Sequence, residues 1–304
     1  MRVQKKCLVT QLSFVLMLAG SLAAAAQTGS GKLNWTLRLN ETRGPVRTAD
    51  VSTLSGKKAV SEILGGPTNG SDNAYLIYTR MPPGAHGPSL FTLPVEHDYV
   101  VLSGKMTVQI GTDKFVAGPL TGVVIPANTP HEVWNADAEP EAHLEVISSA
   151  HPGQDLSRDL MSMLKPAQPM KVANASQYIR EIQLPAASNL KPGLNGQTYT
   201  QRSKGSPLQM RIDSTLPSSG GPKPHVHRFE QVYFEVEGET TVTYGLDEYQ
   251  LKKNDIVIVQ PGVVHTNKNQ TTAIERHIVL LLPEPEAGPF DIEFERKGTV
   301  GANP

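Results

Sequence analysis

The chain has 304 residues, enough for one large or two medium domains. Its 26 Gly and 24 Pro, set against few aromatics, suit short strands joined by many turns. The formal net charge is −1 and no basic cluster exceeds a lysine pair, which argues against a nucleic-acid partner.

Arg2, Lys5 and Lys6 give the N-terminus a positive start, and Leu8 to Ala26 is mostly apolar. Ala24-Ala25-Ala26 then offers a small-residue cleavage site before Gln27. The pattern predicts an export signal over 1–26, a secreted or periplasmic protein, and no membrane association after cleavage. An uncleaved anchor is the competing reading. Gln11, Ser13 and Gly20 count against it, because they interrupt a segment barely long enough to span. The only cysteine, Cys7, lies in this segment, so the processed protein would have no thiol and no disulfide. Asn34, Asn40, Asn69, Asn174 and Asn269 sit in N-x-S/T sequons, which matter only in a eukaryotic secretory pathway.

After a polar arm that ends at Asn73, β-type segments follow: NAYLIYTRMPPGAHGPSLFTLPVEHDYVVLSGK, MTVQIG and GVVIPANTPHEVWN. These recur later in the chain at one offset: 265 − 131, 231 − 97, 238 − 104 and 269 − 135 all equal 134. Pro88 and Pro222, Tyr99 and Tyr233, and Gly111 and Gly245 share it. A register kept over so many positions predicts an internal duplication, with a first domain over 27–152 and a second over 193–304. The connector between them, 153–192, has apolar residues at helical spacing in Ser157 to Leu164, preceded by Asp155. Gln177 to Gln183 is a second short element. His151 reads as a solvated loop residue.

The second domain opens with GPKPHVHRFEQVYFEVEGE and closes its central run with NDIVIVQPGVVHTNKN. On a strand, His225 and His227 project to one face while Val226 faces away. A kink at Arg228-Phe229-Glu230 leads into the next strand, entered by Gln231. His265 follows an Ile/Val strand (256–259) and a Pro261-Gly262 turn that can aim it back at the first strand. Three imidazoles and one side-chain oxygen converging inside a barrel make a metal site with open positions. Alternation also places Tyr233 and Glu235 on the face of Gln231, provided no bulge intervenes. A carboxylate turned into a barrel is costly unless paired or functional, so Glu235 is either a working group or a salt-bridged one.

These residues resemble the cupin family, small jelly-roll barrels whose two motifs supply metal ligands. His225, His227 and Gly238 match the first motif, with Gln231 at its Glu position. Gly262, His265 and Asn269 match the second, with Asn254 and Gln260 in place of the usual Gly and Pro. The resemblance implies an all-β fold of two tandem cupin (RmlC-like jelly-roll) barrels joined by a partly helical connector. It implies one divalent transition metal per chain (Zn, Mn, Fe, Ni or Cu) on His225, His227, Gln231 and His265. It further implies a small-molecule substrate and allows a homodimer. In the first half, Phe91 and Leu93 replace the HxH pair and only His97 and His131 remain, so that barrel is expected to bind no metal and to pack, scaffold or hold an organic ligand. His86 would have to swing in from a Pro/Gly loop to complete a residual site. His143 and His277, again 134 apart, read as structural. The tail from Pro283, with a strand at Phe290 to Phe294, carries no recognisable chemistry.

Glutamine can lend a carbonyl oxygen but cannot take a proton. Gln at this position resembles the non-oxidative cupins, polyketide cyclases and uronate-processing enzymes. The expected function is therefore a metal-dependent isomerase, cyclase or lyase acting on a polyketide, phenolic or sugar acid, with Glu235 and Tyr233 as the proton-moving groups. A quercetinase-like dioxygenase is the alternative, and a non-catalytic binding cupin a third.

Overall fold

The computed structural model describes residues 35–52, 56–149, 155–286 and 290–293. The expected export signal, Asn34 and His151 lie outside the described residues. Among the described residues no helix is long and apolar enough to cross a membrane.

The chain folds into two β-barrels, each a large sheet facing a five-stranded one. In the first barrel the large sheet is built on Ala59–Gly65, Ala74–Met81, Glu141–Ser148 and Glu96–Ser103, and the small one on Phe91–Thr92, His131–Trp134, Met106–Ile110 and Asp113–Ala117. The second barrel repeats this with Gln209–Thr215, Glu275–Leu282 and Glu230–Glu237 in one sheet, and His225–Val226, His265–Lys268 and Glu239–Tyr244 in the other. The 134-residue offset carries Glu96–Ser103 onto Glu230–Glu237 and Glu141–Ser148 onto Glu275–Leu282, both ends included. The repeated glycines have a physical reason. Gly104 and Gly238 have φ of 69° and 83°, and a Cβ at Gly104 would meet the Pro140 carbonyl at 2.4 Å.

Strand alternation decides which side chains reach which core. Val232 and Phe234 point out of the second barrel and pack with Tyr78, Val100, Leu144 and Val146 of the first, giving the two barrels a common apolar layer. The Tyr78 and Phe234 rings stack at 6.3 Å. Gln231, Tyr233 and Glu235 point the other way, into the second barrel, because the register shift of this strand falls after Glu235. Tyr233 joins Val242, Leu251, Val257 and Val279 in an internal core there.

Strands from outside each repeat tie the barrels together. Val46–Thr48, in the arm before the first barrel, pairs with Asp255–Val259 of the second. Ile179–Arg180 of the connector pairs with Gly122–Ile125 of the first. Two buried carboxyls cross the interface reciprocally. Glu96 of the first barrel accepts from Ser206 Oγ at 2.5 Å, and Glu230 of the second accepts from Ser71 Oγ.

The connector departs from expectation in its helix. Only Leu160–Met163 is helical, and the cap is Asp159, whose carboxylate accepts from the Met161 N–H, rather than Asp155. Lys165–Pro166 is drawn into strand pairing with Phe91–Thr92, which ends the helix early. The element expected over Gln177 to Gln183 is a 3-10 turn, Ala175–Tyr178, followed by the strand Ile179–Arg180.

Candidate metal centre in the second barrel

The structure brings His225, His227, Gln231 and His265 together. His225 and His265 are cross-strand partners in an antiparallel pair, their ring centroids 4.2 Å apart. The ring of His227 lies 4.7 Å from that of His265. Gly262 sustains the turn ahead of His265 with φ 79°, and its N–H donates to the His227 carbonyl at 2.9 Å. Asn254, in place of the family's glycine, adopts the same left-handed conformation at φ 72°, which asparagine tolerates better than most residues.

Backbone carbonyls fix all three rings. Nδ1 of His225, His227 and His265 donates to the carbonyls of Lys223, Phe229 and Val263 at 2.8, 2.7 and 3.0 Å. With Nδ1 carrying the proton, each Nε2 presents a lone pair. Nε2 of His227 and of His265 lies 2.8 and 2.9 Å from Gln231 Oε1, which is itself an acceptor. Acceptors facing one another at that distance repel unless a cation lies among them. The amide can present either its NH2 or its oxygen to these nitrogens, and with the oxygen inward the set is complete for a cation. Burial pushes the His265 imidazole down to about 3 and lowers His227 as well. Both stay neutral, the form that ligates. The residues present thus fit a divalent ion with a three-nitrogen, one-oxygen set.

One carboxylate at this centre is not evident from the motifs. The tail strand Ile292–Glu293 pairs with His225–Val226 and sets Asp291 Oδ1 3.5 Å from His225 Nε2. Phe290 meets Phe229 edge to face, at 6.3 Å between centroids. The expected tail strand is present at Ile292–Glu293, beginning two residues later than expected, with Phe294 outside the described residues, and the segment does carry a chemical group. The only signal in the sequence is an alternating FDIEF run following a Pro/Gly stretch.

Tyr233 lies beneath the centre, its ring 6.5 Å from that of His265 and 5.2 Å from that of His277. Glu235 points inward as expected but lies four residues beyond Gln231, about 13 Å along a strand at 3.3 Å per residue. It is fully buried and grouped with Glu275 and His277, away from the three-histidine centre, and forms no salt bridge among the described residues. A proton moved by Glu235 would have to pass through Tyr233.

In the first barrel Phe91 and Leu93 stand in the corresponding space and, with His97, Tyr99 and Glu145, line a small cavity of about 20 Å³. Phe91 packs 4.4 Å from His131, ring to ring, where the second barrel has His225. His97 Nδ1 lies 3.0 Å from His131 Nε2 and its Nε2 lies 3.1 Å from Glu145. Tyr99 OH reaches the same His97 Nδ1 at 3.1 Å. His86 is exposed and stacks on Trp134, so it does not join them. His143 is held by Glu141 at 2.8 Å; burial opposes its charge, but that carboxylate prevails and raises it to about 10. The motif asparagines serve the turns in both halves. Asn269 Nδ2 donates to the carbonyls of Thr215 and Ala273, as Asn135 Nδ2 does to those of Met81 and Glu139.

Comparison with known proteins agrees with this architecture. The family model described as "Cupin domain" matches residues 77–148 and 213–280. The chain carries two cupin domains, one in each barrel. A point mutant of oxalate decarboxylase from Bacillus subtilis aligns with TM-score 0.57 at 13% identity, over 84% of this chain and 80% of that one. A point mutant of salicylate 1,2-dioxygenase from Pseudoaminobacter salicylatoxidans aligns with TM-score 0.54 at 15% identity, over 75% and 77%. The protein Ylba from E. coli aligns with TM-score 0.55 at 14% identity, over 83% and 92%. At these identities the likeness shows the fold alone. No curated protein sequence matches the chain. Both cupin domains keep the fold, but only the second keeps the three-histidine set.

Proposed function

We propose that the second barrel is the active site of a metal-dependent, non-oxidative isomerase, cyclase or lyase acting on an oxygen-rich small molecule, a polyketide, phenolic or sugar acid. The observation that carries this reading is Gln231, a neutral oxygen where the family has a carboxylate. His225, His227, Gln231 and His265 hold one divalent ion, which supplies Lewis-acid polarisation of a carbonyl or enolate when bound. A neutral ligand set leaves that positive charge undiminished. Gln231 can orient a substrate but cannot accept its proton. Tyr233, beneath the centre, keeps its phenol proton because burial pushes it up, so it serves as proton donor, and the acceptor is the Asp291 carboxylate beside His225. The Phe229 ring stacks on that of His227 at 4.0 Å and meets Phe290, a pair of rings that suits the apolar face of a phenolic or polyketide substrate.

A dioxygenase is the second reading, because three imidazoles suit Fe, Ni, Cu or Mn equally well. A fold shared by proteins titled decarboxylase and dioxygenase leaves the choice to the ligand set. Uronates, polyphenols and polyketide-like enols assayed in air and under strict anoxia separate the two. Turnover that continues without O2 supports the proposal, and stoichiometric O2 consumption replaces it with the oxidative reading. Tight binding of one such compound with no turnover under either condition assigns the barrel to ligand storage.

A further inference from the structure

The closed interior of the second barrel, below Tyr233, holds a group of side chains that the proposed chemistry does not use. Asp213, His277 and Glu235 stand in register on three adjacent strands, Asp213 opposite His277 and His277 opposite Glu235. Glu275, two residues before His277, lies on the same face. All four are completely buried. Glu275 engages His277 Nδ1, and Arg211 Nε donates to Asp213 Oδ2 at 3.0 Å. The remaining atoms have no hydrogen-bond partner among the described residues: both oxygens of Glu235, Oε2 of Glu275, Oδ1 of Asp213 and Nε2 of His277. Ligand atoms of Glu235, Glu275 and His277 all lie within 4.8 Å of one another. An ion with bonds of about 2.1 Å sets opposite ligands about 4.2 Å apart, so this spacing closes on a cation with small side-chain shifts.

The duplicated barrel supplies an internal control. Glu141 and His143 are the counterparts of Glu275 and His277, yet Val101 stands at the position of Glu235 and Thr79 at that of Asp213. There His143 lies between Glu141 at 2.8 Å and Glu145 at 3.4 Å, and Glu145 is held in turn by Thr79 and by His97. His143 Nε2 and Glu141 Oε2 lack hydrogen-bond partners there too, so what sets the second barrel apart is Glu235 and Asp213 Oδ1. The second barrel has Val279 where Glu145 would be and adds two carboxylates, Glu235 with no donor at either oxygen and Asp213 with none at Oδ1. Buried carboxylates without donors cost several kcal/mol each unless neutralised. A proton on Glu235, shared with Glu275, would neutralise one of them and leave His277 Nε2 and Asp213 Oδ1 unanswered. A cation bridging Glu235, Glu275 and His277 answers more of these atoms at once.

We propose that Glu235, Glu275 and His277 form a second divalent-cation site, with Asp213 as its outer carboxylate, which takes Mn2+ or Zn2+ as the protein folds and locks the closed end of the barrel. Two carboxylate oxygens and one imidazole nitrogen suit a borderline to hard divalent ion. The site is independent of what the three-histidine centre does.

Metal content of protein refolded with excess Mn2+ or Zn2+ and then desalted tests this, with circular dichroism to confirm folding. Wild type should retain two ions per chain. His225→Ala/His265→Ala, which empties the three-histidine centre, should retain one. Adding Glu235→Val, the residue the sibling barrel accepts at this position, should bring the count to zero. A folded His225→Ala/His265→Ala protein with no ion overturns the proposal and leaves a proton-sharing carboxyl pair. So does an unchanged count on adding Glu235→Val. Anomalous scattering from wild-type crystals gives a reading free of mutation: two peaks in the second barrel support the site, and a single peak at the three histidines overturns it.

Discussion

Gln231 is the residue on which the chemistry turns. A carboxylate at its position could both ligate and accept a proton, whereas the amide only ligates. Gln231→Glu should retain the ion at the three-histidine centre. It should slow a Lewis-acid reaction by about tenfold or more, because the added negative charge weakens polarisation. Elemental analysis beside anaerobic rate measurement checks both halves, and an unchanged rate would remove the electrostatic argument. Tyr233 carries the complementary prediction. Tyr233→Phe deletes one oxygen and should cut turnover by about a hundredfold, the scale of a lost acid or base, with metal content unchanged. An equal loss of metal would make Tyr233 a support for the centre instead.

At the scale of elements, the turn after the last ligand strand supports the histidines without touching them. Asn269 is fully buried; its amide satisfies two backbone carbonyls, at 3.1 and 2.8 Å, and its oxygen accepts from the Thr271 N–H at 2.9 Å. Asn269→Ala strands these backbone groups and should cost about 2–3 kcal/mol in chemical denaturation, since each buried unmade bond is worth about 1 kcal/mol or more. Asn135→Ala should cost a similar amount, and only the Asn269 variant should weaken metal binding. This arrangement also bears on glycosylation. Asn269 is enclosed in the fold, whereas Asn174 is exposed at the start of a 3-10 turn. In a eukaryotic host, mass spectrometry of the purified chain should find glycan on Asn174 and none on Asn269.

For the molecule as a whole, the exchanged strands and the reciprocal carboxyl contacts make stability depend on pH. Burial raises the Glu96 carboxyl to about 7, against the favourable Ser206 contact, with Asp98 beside it. A carboxyl whose folded value is raised binds its proton more tightly in the native state. Its stabilising effect is full below about pH 4.5 and is lost as pH rises to about 7, with a ceiling near 3 kcal/mol. Burial likewise raises the Glu230 carboxyl to about 7, so unfolding free energy measured between pH 4.5 and 8 should decline over this window, Glu96→Gln should reduce the decline, and Glu96→Gln/Glu230→Gln should flatten it by keeping neutral hydrogen-bonding groups. A persistent slope in the double variant would place the titration elsewhere. The expected export signal carries a further prediction. N-terminal sequencing of the native protein should begin near Gln27, and an intact Met1 would refute an export signal.

The sequence alone determined the duplication, the barrel class and the four residues that converge at the candidate metal centre. Each is written in local code: a constant offset of 134, period-two alternation, and turns that need Gly262 or Asn254 in a left-handed conformation. Alternation also sent Gln231, Tyr233 and Glu235 to one face. What it could not supply was distance along that face. Only the assembled barrel placed Glu235 with Glu275 and His277 on neighbouring strands, because cross-strand register joins residues that no local pattern connects. Register likewise decided that Val46–Thr48 completes the other barrel's sheet and that the tail returns Asp291 to His225. Strand pairing follows complementarity between surfaces far apart in the chain, and that information exists only once both surfaces are folded.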